Sequence, residues 1–492
     1  MPEPDRDDLD MSAPPDQLRI VVIGGGVSGL AAAHRLVEQD GPTGQSVEVI
    51  VLESTGAPGG SISTTRRDGF LLEGGPDAFI TQKPWALQLC ERLGIIDSLI
   101  QTNEHHRRTF VVRRGRLHAM PEGFMRLAPS RLWPFAFSRL FSLRGKLRMG
   151  LDLVLPRGRV NGDESLASFV RRRLGREALE RAAQPLVSGI YTADPEKLSV
   201  LATMPRFLEM EAKHRSLILA MRRAGRDQAK RGEAGARYSL FVSFADGMDT
   251  LVKAIVDRLP TGALRLNQPV TALRRGTAGR TWSIETGDGQ TIEADGVIMT
   301  APAYALAKII ADLDNELANL FSQLEYASSA TLNLAFRRHQ IAHPLDGFGV
   351  VVPHVERRTI IAATFSQVKF AGRAPEGMAL IRAFIGGALN PDVFALDDAD
   401  LLRGVMAELT DLLGIDGPPL FTTLERWPAS MPQYAVGHLD RVAQMNQRLD
   451  RLPALAAAGN AFGGVGIPDC VHGGEQAADA VLAALTKPVR AT

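Results

Sequence analysis

The chain has 492 residues, of which 45% are hydrophobic and 23% charged, with two cysteines and a formal net charge of +1. That length corresponds to about three domain-sized units, and the composition excludes disorder of the whole chain, a disulfide scaffold and a four-cysteine zinc site. The small net charge hides a segregation: residues 107–159 hold thirteen Lys/Arg against two acids, a net +11, which leaves −10 on the rest. In chain order, residues 1–17 are rich in Pro and Asp with no basic or apolar leader region, and are expected to form a disordered tail rather than a targeting peptide. No uncharged apolar run approaches the roughly 18–20 residues of a spanning helix. A cytoplasmic, reducing location is expected, with peripheral membrane contact left open.

Arg19 to Ile23 is a short β-branched run, read as a buried parallel strand, and it leads directly into Gly24-Gly25-Gly26-Val27-Ser28-Gly29. This fits G-x-G-x-x-G. A helical stretch follows to Gln39, then a second apolar strand, Val47 to Leu52, ending at Glu53, 24 residues beyond the last glycine. Gly24 permits the tight turn, Gly26 lets the backbone approach a pyrophosphate, and Gly29 lets helix and strand pack closely. The helix start presents free N–H groups, among them those of Val27 and Ser28, to a phosphate. Glu53 is placed to accept from a ribose hydroxyl pair. A bare glycine motif is weak; strand, turn, helix, strand and terminal acid together point to a dinucleotide.

The next loop is Ser54 to Gly60. An acid followed after five residues by Gly-Gly resembles the large flavin-dependent oxidases of the amine-oxidase type, where this loop lies near the flavin phosphates. Glu53, Ser54 and Gly59-Gly60 match it, whereas Ser61 stands where those proteins usually carry Arg or Lys.

Later segments are expected to return to the nucleotide domain. They are a helix over 249–259, a strand over 264–270, a hairpin around Gly287-Asp288-Gly289 and a buried strand from Asp295 to Pro302. At the end, a small-residue strand at Leu455 to Ala458 precedes Gly463-Gly464-Val465-Gly466-Ile467-Pro468-Asp469-Cys470, with a helix expected from about Gly474 to Leu485. Glycines crowded against a helix start let a planar group reach backbone donors.

At these residues the chain resembles the soluble bacterial type of protoporphyrinogen/coproporphyrinogen oxidase, from about Leu18 to Leu485. The carrying blocks are Glu73-Gly74-Gly75-Pro76-Asp77-Ala78-Phe79, Ser188-Gly189-Ile190-Tyr191, Lys213-His214-Arg215-Ser216-Leu217-Ile218, Ser430-Met431-Pro432-Gln433-Tyr434 with Trp427, and Gly464 to Cys470. The resemblance implies an FAD enzyme that removes six electrons from a porphyrinogen in three two-electron steps, with oxygen as acceptor and hydrogen peroxide released, in haem biosynthesis. It places Gly24, Gly26, Val27, Ser28, Gly29, Glu53, Ser54, Gly60, Ser61, Gly75, Pro76, Asp77, Ala78, Val270, Trp427, Ile467, Pro468 and Asp469 on the flavin. Lys83 falls where a basic residue approaches substrate propionates; Gly189, Ile190 and Phe384 fall on the tetrapyrrole cavity. Coproporphyrinogen III is the favoured substrate by this likeness, with protoporphyrinogen IX as the alternative.

Dehydrogenation of such a macrocycle needs a positioned C–H and a flavin N5 acceptor, so no protein catalytic residue is assigned. Propionates call for cations, and Lys83, Arg126 and Arg215 are the candidates. His339 and His343 have zinc-ligand spacing, but Gln340 replaces the glutamate of the zincin motif, so no metal is expected. Three readings of the basic 107–159 segment stay open: contact with anionic lipid, steering of an acidic substrate or a haem-pathway partner, and a solvated helical face. Nucleic acid is not expected, because no reader motif accompanies the charge.

The architecture implied is mixed α/β and α+β. A discontinuous Rossmann-like FAD-binding domain takes 18–80, 240–300 and 430–488, a mixed-sheet substrate domain 81–110 and 301–429, and a mostly helical insertion 111–239. Arg222 to Arg237 reads as an exposed linker. Two rivals remain: another flavin oxidase acting on amines or carotenoid precursors, with Tyr191, Tyr434 and Trp427 as a cage, and a flavin-binding protein without catalysis.

Overall fold

The computed structural model describes residues 17–39, 46–121, 135, 137–158, 162–230, 239–276 and 280–486. Its nucleus is a five-stranded parallel sheet. β1 (Gln17–Ile23) pairs with β2 (Ser46–Leu52) from Gln17↔Ser46 to Ile23↔Leu52, and on its other side with strand Gly296–Met299. Leu264–Arg265 and Leu455–Ala457 complete the two edges. Ile20 to Ile23 are all buried, as expected when both faces of a parallel sheet are covered. Ile20 and Val22 pack under helix α1 (Val27–Glu38) and the C-terminal helix Ile467–Thr486, through Ala32, Leu36, Ala478 and Val481. Val21 and Ile23 face the opposite layer, where Trp282 and Ile284 of a three-stranded antiparallel sheet lie. Strand order reverses around β1, so a crevice opens at its carboxyl end, where open α/β sheets bind ligands.

Three local expectations change. The C-terminal helix starts at Ile467 rather than near Gly474. Pro468 sits in its first turn, where a missing N–H costs nothing. Gly474 lies inside that helix because a Cβ there would stand 2.1 Å from the Ser28 carbonyl oxygen. The strand expected over 264–270 divides into Leu264–Arg265 and Val270–Arg275, with Asn267 at φ +56° turning the chain between them. The expected linker from Arg222 is helical to Lys230, within helix Leu217–Lys230, since its Ala, Arg, Gln and Lys are good helix formers; residues 231–237 lie outside the described residues.

A seven-stranded mixed sheet is built around strand Tyr326–Arg337, which pairs antiparallel with Met378–Gly386 and Phe421–Pro432. Alternation divides its faces. Leu332, Leu334, Ile381 and Ile385 pack on helix Asp398–Leu413, whereas Thr331, Asn333, Arg382 and Trp427 turn to the loop Glu73–Asp77. The hairpin Thr109–Arg113/Arg116–Ala119 extends this sheet past residue 110, where the helical insertion was expected to begin.

The helices from Leu143 to Lys230 enclose their own core, with Leu140, Phe141, Met149, Phe169 and Leu217 at its centre. Inside it, fully buried Asp152 accepts from Arg173 Nε at 2.7 Å, Ser216 Oγ at 2.6 Å and Ile218 N at 3.0 Å. Among the described residues, no helix is long and apolar enough to cross a membrane.

Candidate cofactor and substrate site

At the carboxyl end of β1 the chain turns through Gly24, at φ +110° and packed on Thr300. A Cβ on Gly29 would lie 1.9 Å from the Gly24 carbonyl oxygen, so only glycine lets α1 start this close to the strand. α1 has no side-chain cap and no acid in its first turn, which leaves the N–H groups of Ser28 and Gly29 for another acceptor, while the Gly26–Gly59 bridge engages the backbone at Val27. A Cβ on Gly26 would meet nothing within 4 Å. An uncapped helix start beside open space at the motif's second glycine fits a dinucleotide phosphate.

The Glu53 carboxylate is buried and already engaged. Oε2 accepts from Gly25 N at 2.7 Å, and Oε1 from Thr55 N and Thr55 Oγ1, both at 2.8 Å, with Ser54 Oγ at 3.3 Å. Glu53 therefore joins the glycine turn to the second loop. Gly59 N donates to Gly25 O, Gly60 comes against the Gly26 Cα, and Ser61 is exposed at the loop's end. Gln268 N donates to Glu53 O, which brings the start of the Val270 strand to this loop. Gly75 reaches in beside Ser61, where a Cβ would stand 1.6 Å from its carbonyl oxygen.

The Glu73–Ala78 loop is clamped by the polar face of the mixed sheet. Gly74 O accepts from Thr331 Oγ1 at 2.6 Å and Trp427 Nε1 at 2.9 Å, and Glu73 O from Asn333 Nδ2 at 3.1 Å. Arg382, nearly fully buried, donates to Gly75 O and stacks over the Phe384 ring at 4.7 Å. Asp77 pairs with Lys369 at 2.8 Å, and Pro76 and Ala78 are half-buried beside it. Burial alone would raise the Asp77 pKa; Lys369 and then Arg382 outweigh it and hold the carboxyl below its ordinary range.

The start of helix Ile467–Thr486 lies next to α1, fixed by the Gly474–Ser28 contact. Ile467 is buried in the layer that also holds Leu30 and Val252. Pro468 occupies the first turn, and Asp469 accepts from Lys83 Nζ at 2.5 Å. Lys83 thus stands beside the glycine-rich C-terminal loop, half-exposed, with an acid as its immediate partner. Burial pushes the Cys470 thiol up to about 12, so it is a packed thiol and not a thiolate.

Helix Gln184–Tyr191 ends at the same junction. Gly189 and Ile190 are exposed on it, and Tyr191 reaches Tyr434, with ring centroids 6.3 Å apart. Burial raises the Tyr191 phenol to about 12. Tyr434 is buried, donates to the Asn460 carbonyl and stacks on His438 at 4.1 Å. Two substrate candidates are not brought into this group. Arg215 is exposed on the helical insertion, donating to Leu153 O at 3.3 Å, and Arg126 lies outside the described residues.

Sequence reasoning missed Thr331, Asn333, Lys369 and Arg382, which hold the Glu73–Asp77 loop. The period-2 polar positions of strand 326–337 carried a signal, but their partner lies about 257 residues away along the chain.

A discontinuous Rossmann-type sheet with a glycine turn, an acid-anchored second loop and a C-terminal helix start returning to it defines a flavin-dependent oxidoreductase. Residues 27–482 match the family described as flavin containing amine oxidoreductase, and the chain belongs to it. It is similar to the coproporphyrinogen III oxidase of Bacillus subtilis (strain 168), 35% identical over 466 residues, covering 94% of this chain and 97% of that protein. It is also similar to the chloroplastic protoporphyrinogen oxidase of Oryza sativa subsp. japonica, 30% identical and covering 95% and 88%. A crystal structure from Exiguobacterium sp. 255-15, given as a candidate protoporphyrinogen oxidase, superposes with a TM-score of 0.83 at 29% identity, covering 95% of this chain and 99% of that one.

Proposed function

We propose that the chain oxidises coproporphyrinogen III to coproporphyrin III in haem biosynthesis, with FAD as cofactor and oxygen as acceptor, releasing hydrogen peroxide. The carrying observation is the match to the Bacillus subtilis coproporphyrinogen III oxidase along nearly the full length of both chains. Bound at the glycine turn, FAD supplies a two-electron hydride acceptor. Ser28 and Gly29 hold the pyrophosphate with the α1 N–H groups, and Glu53 holds the loops on either side of the ribose. Trp427, Asp77 and the Ile467–Asp469 turn frame the ring system.

The remaining protein roles are binding and orientation. Lys83 takes a substrate carboxylate, Gly189 leaves room for the macrocycle, and Ile190 and Phe384 form apolar walls. The FAD-binding domain is assembled from 18–80, 240–300 and 430–488 in this reading. The plant relative named protoporphyrinogen oxidase supports the second reading, protoporphyrinogen IX as substrate. An amine substrate is disfavoured, because Tyr434 spends its hydroxyl on Asn460 and its face on His438 and is not an open cage wall.

The test is porphyrin fluorescence appearing from each porphyrinogen under oxygen, with FAD identified in the denatured extract. A larger kcat/KM for coproporphyrinogen III supports the first reading and a larger value for protoporphyrinogen IX the second. No porphyrin from either, with FAD bound, overturns both.

A further inference from the structure

From Arg176 to Tyr191 the chain follows one helical path with a wide turn in it. Arg176–Ala178 and Gln184–Tyr191 are α-helical, and Leu179–Ala183 between them forms a π-helical turn. Single π turns of this kind recur at functional sites, and this one stands directly before the helix that carries Gly189 and Ile190. Two polar links tie it to the connection between strands Gly349–Val351 and Ile360–Phe365 of the mixed sheet. Arg181 donates to Glu356. Gln184 is buried; its Oε1 accepts from His354 N at 2.9 Å, and its Nε2 donates to Ser188 Oγ at 2.8 Å. Both ends of one amide are used, one to hold the helix to the sheet and one to brace the helix itself.

The seam that Gln184 crosses is incompletely filled. Gln184, Ser188 and Thr192 recur every four residues on one helix face, and with Val352, Pro353 and Asn390 they line a cavity of about 10 Å³, room for a single water. Thr192 Oγ1 is buried on this face without a hydrogen-bond partner. Close packing would register a helix without polar help; across this gap the amide sets the spacing. Ile190 projects from the far side, roughly 200° around the helix from Ser188, so a shift of the seam moves the Gly189–Ile190 wall as a unit.

We infer that Gln184 is a positioning residue for the oxidation: by holding this helix at a set distance from the mixed sheet, it fixes the Gly189–Ile190 wall against the macrocycle and with it the approach of the reacting C–H to the flavin. Gln184 touches neither substrate nor cofactor in this role. It acts through the helix. The inference rests on the porphyrinogen reading proposed above and deepens it.

The test is anaerobic single-turnover reduction of the bound flavin in the holoprotein by coproporphyrinogen III and, separately, by protoporphyrinogen IX. Gln184→Met keeps the volume and removes both hydrogen bonds. Gln184→Glu keeps both, because the Ser188 hydroxyl can turn to donate. His354→Pro breaks the same link from the other side: the His354 side chain is exposed, and Pro353 already has ψ +136°, which a following proline accepts. The Met and Pro variants are expected to be reduced roughly fivefold or more slowly at saturating substrate, with a smaller change in half-saturation, and the Glu variant to stay within about twofold of wild type. Flavin content and reduction by dithionite are expected to be unchanged in all three. Equal slowing in the Met and Glu variants overturns the proposal, as does a wild-type rate in both the Met and Pro variants. A wild type whose flavin neither porphyrinogen reduces overturns the proposed activity and this role together, and that outcome is recognised without any variant.

Discussion

Lys369, at the end of the helical turn Ser366–Lys369 that follows a strand of the mixed sheet, reaches Asp77, its ammonium 2.9 Å from Oδ1 and 2.8 Å from Oδ2. Neither residue lies in the glycine motif, yet the pair joins the turn beside the mixed sheet to the Glu73–Ala78 loop. Lys369→Met leaves Asp77 with Arg382 at 3.9 Å as its nearest remaining cation. Because the carboxylate is largely buried, the loss is expected to be roughly 3 kcal/mol, read as a lower thermal midpoint and a lower flavin content. Asp77 adds an acid-side dependence. Its folded pKa lies below the ordinary carboxylate value, so its stabilisation is present above that value and disappears as pH falls through the folded one. The Lys369→Met variant should show a weakened form of that acid limb.

Gly26→Ala separates fold from cofactor. A methyl there meets nothing within 4 Å in the protein, and the position has an ordinary φ of −71°. The fold should lose about 1 kcal/mol or less, through the poorer helix cap. Flavin affinity should fall at least tenfold, measured by titrating FAD into apoprotein. A variant that keeps its flavin would place the phosphate elsewhere. Gly29→Ala, by contrast, should fail to fold properly, because its methyl collides with Gly24.

Gly189→Leu tests the other side of the proposed site. Gly189 is also open, with nothing within 4 Å of a built Cβ, and it lies within a helix that leucine favours. Thermal stability and flavin spectrum should be preserved while porphyrinogen turnover falls at least tenfold. Unchanged turnover would remove Gly189 from the substrate cavity.

Lys83→Ala should raise KM for a carboxylated tetrapyrrole several-fold, with a smaller change in kcat, if the ammonium binds and does not react. Asp469→Asn frees the same ammonium from its counter-ion and is expected to move KM the other way.

His438 supplies a pH signature. Its ring is buried and stacked on Tyr434, with the Phe462 backbone giving it at most a weak hydrogen bond. Burial, assisted by Arg441, lowers its pKa from 6.5 to about 4. The unfolded chain then binds a proton that the folded one refuses, so stability falls as pH drops from 6.5 towards 4, by about 3 kcal/mol in all. His438→Phe keeps the stack and should flatten the thermal midpoint against pH across that window.

The nucleotide half of the molecule was legible because its determinants are local. Strand, glycine turn, helix and acid follow one another within 17–53, and steric needs at Gly24 and Gly29 appear directly as residue types. The clamp on Glu73–Asp77 was not legible. Thr331, Asn333 and Arg382 look like ordinary half-polar strand positions until the sheet register sets them opposite one loop. Glu53 was legible as an acid at the end of β2, but its bonds to Gly25 and Thr55 depend on two turns whose approach no spacing reveals. The charge segregation was visible at once; that Asp152 turns inward onto Arg173 required the folded helices.

The contact between Gly474 and the Ser28 carbonyl has a temporal consequence. The start of α1 leaves the ribosome long before its neighbouring helix Ile467–Thr486 and the strand Leu455–Ala457. Until then β1 lacks a finished layer above it, and the crevice has one wall. Flavin capture is thereby expected to wait for residues 455–486, and a product cut short before residue 455 should remain colourless however well its helical insertion folds.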